Sequence, residues 1–229
     1  MLPMWVPTLQ IGQPVPGDVR LTDQSGHLRN WTSFRGNALV VGFIYTGCPD
    51  PTECPAVSAK FAEMQKRLPP HTYLIEITID PSHDKPIVLR RYGETFAEDP
   101  AKWTMLTGDP NTVLTLTRRF GIAVFHRPNG EIEHNEAVAV LDRDERLQSL
   151  TAGTSWQPSE VLAEASAVNG EPNDVLARTA LAFRSFGRTC GALLNAIDPR
   201  WRDVSIASAG AAVFLIAGTS AVLLRQLKF

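Results

Sequence analysis

The sequence predicts an α/β layered domain followed by one membrane-spanning helix, and three observations carry that prediction. Continuous apolar, β-branched runs such as "NALVVGFIYTG" and "TYLIEITID" have the composition of buried central strands. Stretches whose apolar residues recur every three or four positions alternate with them, as helices packed on a sheet would. Near the C-terminus, "VSIASAGAAVFLIAGTSAVLL" runs from Val204 to Leu224 without a charge. A helix of that length rises about 30 Å, the thickness of a bilayer's hydrocarbon core.

Each element has its own local reason. After a Pro- and Gly-rich lead, "DVRLTDQSGHLRNWTSFRG" reads as a hairpin turning at Gln24, Ser25 and Gly26, and the run Ala38 to Tyr45 follows as the central strand. Pro55 then opens a helix, since Pro is favoured at a first helical position, and Val57, Phe61, Met64 and Leu68 form its apolar stripe. "TYLIEITID" is the next strand, and Pro86 opens a second helix with Val88, Leu89, Tyr92 and Phe96 on one face. "WTMLTGD" supplies a short strand, and "NTVLTLTRRFGI" a helix closed by Gly121. "EAVAVLDRDERLQSLTAG" is a terminal hairpin turning at Arg143, Asp144 and Glu145, and "QPSEVLAEASAV" is the closing helix. Strands alternating with helices and ending in a hairpin fit a thioredoxin-like, three-layer domain.

The expected organisation is an extended lead over 1–14, the α/β domain over 15–168, a linker with an amphipathic helix over 169–203, and the membrane helix over 204–224. Leu176, Leu181, Phe183, Phe186, Leu193 and Leu194 give the amphipathic segment its apolar face, and Arg178, Arg184 and Arg188 its basic one. "MLPMWVPTLQIGQPVPG" lacks the basic and unbroken apolar regions of a signal peptide, so it predicts no export. Arg188, Arg200 and Arg202 before the apolar run, against Arg225 and Lys228 after it, lean toward a cytoplasmic domain.

With 20% charged residues and a formal charge of −2, the 229-residue chain carries no basic excess for binding nucleic acid. A domain of about 150 residues buries roughly 70% of its unfolded surface, so it needs neither disulfides nor a structural metal. The three cysteines are too few for a disulfide framework and are free for chemistry. Cys190 stands apart and reads as a small hydrophobe. Cys48 and Cys54 stand together in "GCPDPTECP", on a loop stiffened by prolines that can fold back to bring the sulfurs within range of each other. Cys54 falls where the helix cap is expected, and the free amides and dipole there would stabilise its thiolate. Two thiolates suit Cu(I) or redox exchange, and a nitrogen or oxygen ligand from elsewhere would widen the range to Cu(II) or Zn.

Of the five histidines, His27, His71 and His126 read as solvated turn residues, and His83 lies in the loop after the second central strand. His134 comes just before the closing hairpin. In a thioredoxin-like fold that position lies beside the cysteine loop, which makes His134 the best third ligand.

"FIYTGCPDPTECPAVSAKFAEMQ", "TIDPSHDKPIVLRRYGETF", "WTMLTGD" and "EHNEAVAVLDRD" together resemble the Sco/SenC family of copper chaperones for cytochrome c oxidase. The resemblance covers about Pro16 to Ala165. It implies a copper ion held by Cys48, Cys54 and His134, an acidic loop at Asp80, Pro81, Asp84 and Pro86, a partner in the oxidase's copper-site subunit, and a domain on the periplasmic side. Here five residues separate the cysteines where the family typically has three, and the expected anchor is C-terminal where members usually carry an N-terminal one. The resulting expectation is a membrane-anchored copper chaperone. Its alternatives are a thiol-disulfide oxidoreductase in which Cys48 attacks and Cys54 resolves, or the reverse, and a tethered binding module with incidental cysteines. A peroxidase is disfavoured, because "FIYTGCP" lacks the proline that peroxiredoxin-like chains place before the reactive cysteine.

Overall fold

The computed structural model describes residues 7–128 and 131–169. Its centre is a seven-stranded mixed sheet. Strands β1 (Arg20–Asp23), β2 (Leu28–Asn30), β3 (Ala38–Ile44), β4 (Thr72–Thr78) and β5 (Trp103–Thr107) come first along the chain. A separate ribbon, β6 (Val124–His126) with β7 (Ile132–His134), precedes β8 (Ala137–Leu141) and β9 (Leu147–Ala152). Across the main sheet the order is β2-β1-β5-β4-β3-β8-β9. The middle strands β5, β4 and β3 are parallel, while β1 and β8 join them antiparallel. All seven residues of β3 are buried, as its unbroken apolar sequence requires of a strand flanked on both sides and covered on both faces.

Four helices complete the layers: α1 (Cys54–Met64), α2 (Pro86–Thr95), α3 (Pro110–Arg119) and α4 (Pro158–Val168). Each has a proline at its first or second position, where the missing N–H would have no helical partner in any case. Both predicted hairpins are present, β1–β2 and β8–β9. The ribbon β6–β7 is the element that the sequence pattern did not reveal. The lead is tied to the domain: Leu9 and Val15 are buried, and the Gly12 and Val15 amides donate to the carbonyls of Leu147 and Glu145.

The two faces of β3 show how the layers meet. Phe43 packs against Phe120, which caps α3, with ring centroids 5.3 Å apart. On the opposite face Gly42 lies under Phe61 of α1, whose ring is fully buried near Trp103 and Trp156. A Cβ at Gly42 would come within 2.9 Å of Phe61 Cζ, and that ring has no space to retreat. Gly42→Ala is therefore expected to lower stability by about 1–3 kcal/mol through overpacking. Urea unfolding reads this directly, and an unchanged midpoint would show that α1 can lift from the sheet without loss.

No helix among the described residues is long and apolar enough to cross a membrane. The expected span at 204–224, the amphipathic helix placed within 169–203 and Cys190 lie outside the described residues.

Candidate metal and redox site

The cysteine loop leaves the carboxyl end of β3, the edge at which parallel α/β strands gather functional groups. Asp84 fixes it there. This fully buried carboxylate accepts hydrogen bonds from Thr46 N (3.0 Å), Thr46 Oγ1 (2.5 Å) and Thr78 Oγ1 (2.5 Å). The Asp80 carbonyl in turn accepts the amides of His83 and Asp84. The acidic loop expected at Asp80–Pro86 thus locks the cysteine loop to the end of β4 and opens α2 at Pro86.

Cys54 is the first residue of α1, with Glu53 as the cap and Pro55 second, one position further into the helix than the sequence implied. That shift moves the stabilised thiolate, expected at Cys54, to Cys48. Cys54 is fully buried, and its Sγ receives the Tyr45 amide at 3.4 Å. Its thiol is pushed up, first by the hydrogen bond it gives to Cys48 and then by burial. Cys48 is half-buried and gains what Cys54 was expected to have. The Cys54 thiol, followed by the backbone amides of Cys54 and Asp50, hydrogen-bonds to the Cys48 sulfur and lowers it to about 6, against burial and the Glu53 charge. The helix terminus serves the neighbouring cysteine.

His134 ends β7, paired with Val124 across the ribbon. Because β8 runs antiparallel to β3, with Val138 opposite Gly42, the residues just before β8 arrive beside the loop that follows β3. His134 Nε2 stands 3.6 Å from Cys54 Sγ, and its ring packs edge-on against Tyr45, 5.7 Å between centroids. Its Nδ1 lies 3.1 Å from the Asn135 carbonyl, which can only accept, so Nδ1 carries the proton and Nε2 a lone pair aimed at the sulfur. Burial lowers the imidazole's pKa and keeps it neutral at pH 7, the form in which it ligates metal. The other four histidines, His27, His71, His83 and His126, are exposed, and none joins this cluster.

One member of the site was missed. Glu136 brings a carboxylate oxygen within 4.8 Å of donor atoms on both Cys54 and His134. Its Oε1 is buried without a hydrogen-bond partner. Burial, then the charges of Glu53, Cys48 and Asp50, raise its pKa to about 7, with Lys60 opposing them. The available signal was the two-residue spacing His134-x-Glu136, which puts both side chains on one side of an extended segment.

Cys54, His134 and Glu136 bring their donor atoms together at the strand-to-helix loop, while Cys48, on the same loop and hydrogen-bonded to the Cys54 sulfur, stands outside that close group. The SCO1/SenC family pattern matches residues 8–169. The chain belongs to the SCO1/SenC family. Among its relatives, an SCO2-like protein of Rickettsia felis is 35% identical over 138 residues, 56% of this chain and 64% of that one. The chain thus spans less than two thirds of the curated relatives it first matches. Bradyrhizobium japonicum ScoI, solved with copper bound, superposes with a TM-score of 0.58 at 25% identity, covering 69% of this chain and 99% of that one. BsSco, described as carrying a disulfide switch and as a member of the Sco family of cytochrome c oxidase assembly proteins, shares the fold. It has a TM-score of 0.58 at 21% identity, covering 70% and 98% of the two chains. These structures establish the thioredoxin-like Sco fold for the chain.

Proposed function

We propose that this chain is a copper carrier in cytochrome oxidase assembly, holding its cargo on Cys48, Cys54 and His134 and passing it to the oxidase subunit that houses copper. The observation that carries the proposal is the 3.6 Å approach of His134 Nε2 to Cys54 Sγ, with the low-pKa Cys48 thiol hydrogen-bonded to the same sulfur. Soft thiolates with one imidazole suit Cu(I) and leave coordination positions open for a recipient's ligands. Copper bound to ScoI, and the assembly role ascribed to BsSco, agree with this reading. The uncharged run at 204–224 would hold the carrier at the membrane in which its recipient sits, and the family resemblance, against the lean of the flanking charges, favours the periplasmic side for the folded domain.

Titration of the reduced protein with Cu(I) against a competing chelator tests the assignment. Removing a partner outside the ligand set typically costs 10–100-fold in metal affinity, so His134→Ala is expected to weaken binding by about 100-fold. Stoichiometric binding that is indifferent to His134 would remove the third ligand from the proposal.

A second reading rests on the asymmetry of the two thiols. An accessible low-pKa Cys48 backed by a buried Cys54 is the arrangement of an attacking and a resolving cysteine. The fold would then exchange disulfides through Cys48. Ready formation of a Cys48–Cys54 disulfide, with no specific copper uptake, would favour that role over the carrier.

A further inference from the structure

We propose that Glu136 is a further metal ligand, whose carboxylate oxygen joins Cys54, His134 and Cys48 as a hard donor that favours divalent over monovalent ions. The inference rests on the copper site proposed above and names a ligand beyond its two thiols and imidazole.

Three observations support it. Donor atoms of Cys54, His134 and Glu136 all lie within 4.8 Å of one another. Tetrahedral ligands about 2.0–2.3 Å from a common ion stand roughly 3.3–3.8 Å apart, so side-chain movements of about 1 Å would bring these donors into a shared shell. Next, Glu136 Oε1 is buried and unpartnered. Leaving a buried acceptor unsatisfied is costly enough that native structures seldom do so without a functional reason, and a bound cation supplies one. Finally, the backbone on either side is held in place. Asn135, between the two ligands, is locked by the Ala123 amide donating to its Oδ1 at 2.6 Å and by its Nδ2 donating to the Gly121 carbonyl at 3.1 Å. The Glu136 carbonyl accepts the Gly153 amide at 2.7 Å. His134 and Glu136 are therefore presented together by a fixed segment, as a preorganised ligand pair requires. The main charged groups acting on Glu136 are Glu53, Cys48 and Asp50, with Lys60 opposing them, so a metal ion would meet a net negative field.

Hard carboxylate oxygen discriminates between oxidation states. Cu(I) is satisfied by two thiolates and an imidazole, whereas divalent ions gain from a fourth, oxygen donor. Glu136 would stabilise a divalent ion selectively and lower the potential at which bound Cu(II) accepts an electron. A tenfold loss of divalent affinity without a matching Cu(I) loss corresponds to a shift of about 59 mV for one electron.

The test uses the full reduced chain, Cu(I) by chelator competition, and Co(II) as a redox-inert probe whose visible bands report coordination number and thiolate ligation. Glu136→Gln is expected to weaken Co(II) binding at least tenfold and shift its ligand-field bands while changing Cu(I) affinity less than threefold. Glu136→Asp, shorter but still a carboxylate, should recover part of the loss. Identical Co(II) affinity and spectrum in native protein and Glu136→Gln would overturn the ligand assignment and leave the copper reading standing. Glu136-dependent Co(II) binding without Cu(I) uptake would sustain the ligand and overturn the copper reading. Binding of neither ion would overturn both.

Discussion

Iodoacetamide added to the reduced protein at pH 7 is expected to alkylate Cys48 quickly and Cys54 at least about 100-fold more slowly. The thiolate is the reacting form, and a thiol held at about 6 is roughly 90% ionised at pH 7, against a few per cent for an ordinary cysteine near 8.5. Cys54 is both fully buried and pushed up, so it lacks access and charge together. The Cys48 rate should fall as pH drops, with a midpoint near 6, and peptide mapping assigns the adducts to separate it from Cys190. Because the hydrogen bond from Cys54 is the main cause of the lowered value, Cys54→Ala should move the midpoint up toward about 8.5. An unmoved midpoint in that variant would transfer the effect to the α1 amides, and a native midpoint above 8 would remove the asymmetry altogether.

That asymmetry was not legible in the sequence, for a geometric reason. Pro55 marks the start of α1 but fits either the first or the second helical position, and the difference of one residue turns Cys54 by about 100° around the helix axis. At the cap, its sulfur would face the free amides. At the first position it faces the core, and those amides reach Cys48. The strands were readable because β3 and β4 are buried on both faces and cannot afford a polar interruption, with Glu76 the telling exception. The ribbon β6–β7 was not, since three residues per strand are too few to show a period. His134 was found from fold order and Glu136 was missed because it reads as the polar start of an apolar strand. Only the crossing of β8 beside β3 turns it toward the thiols.

The Glu76 exception leads to the second large effect, a stability that falls as pH rises. Glu76 sits in the middle of β4, fully buried, opposite Gly42 of β3. Its Oε1 accepts the Ser58 hydroxyl at 3.0 Å, Ser58 also meets Tyr92 OH at 3.1 Å, and the Trp103 indole N–H is the other polar group against the carboxyl, with both the Ser58 and Trp103 contacts opposing the rise in its pKa. Burial, reinforced by the nearby Glu98 charge, raises the carboxyl to about 8, so it is protonated in the folded protein at pH 7. In the unfolded chain it returns to about 4.3. The folded state therefore binds the extra proton. This contribution to stability is complete below about pH 4 and is lost progressively as pH climbs from there through 8, by about 5 kcal/mol in all. Glu76→Gln removes the titration. Its stability relative to the native protein should be equal or lower at pH 5, where Gln must find a partner for an added N–H group, and higher at pH 8.5. Urea midpoints at the two pH values, with unchanged slopes, measure the difference. A pH-independent difference would mean that Glu76 ionises in the fold. Ser58 lies on α1, the helix that begins at Cys54, so ionisation of Glu76 would disturb the packing that holds the buried thiol in place.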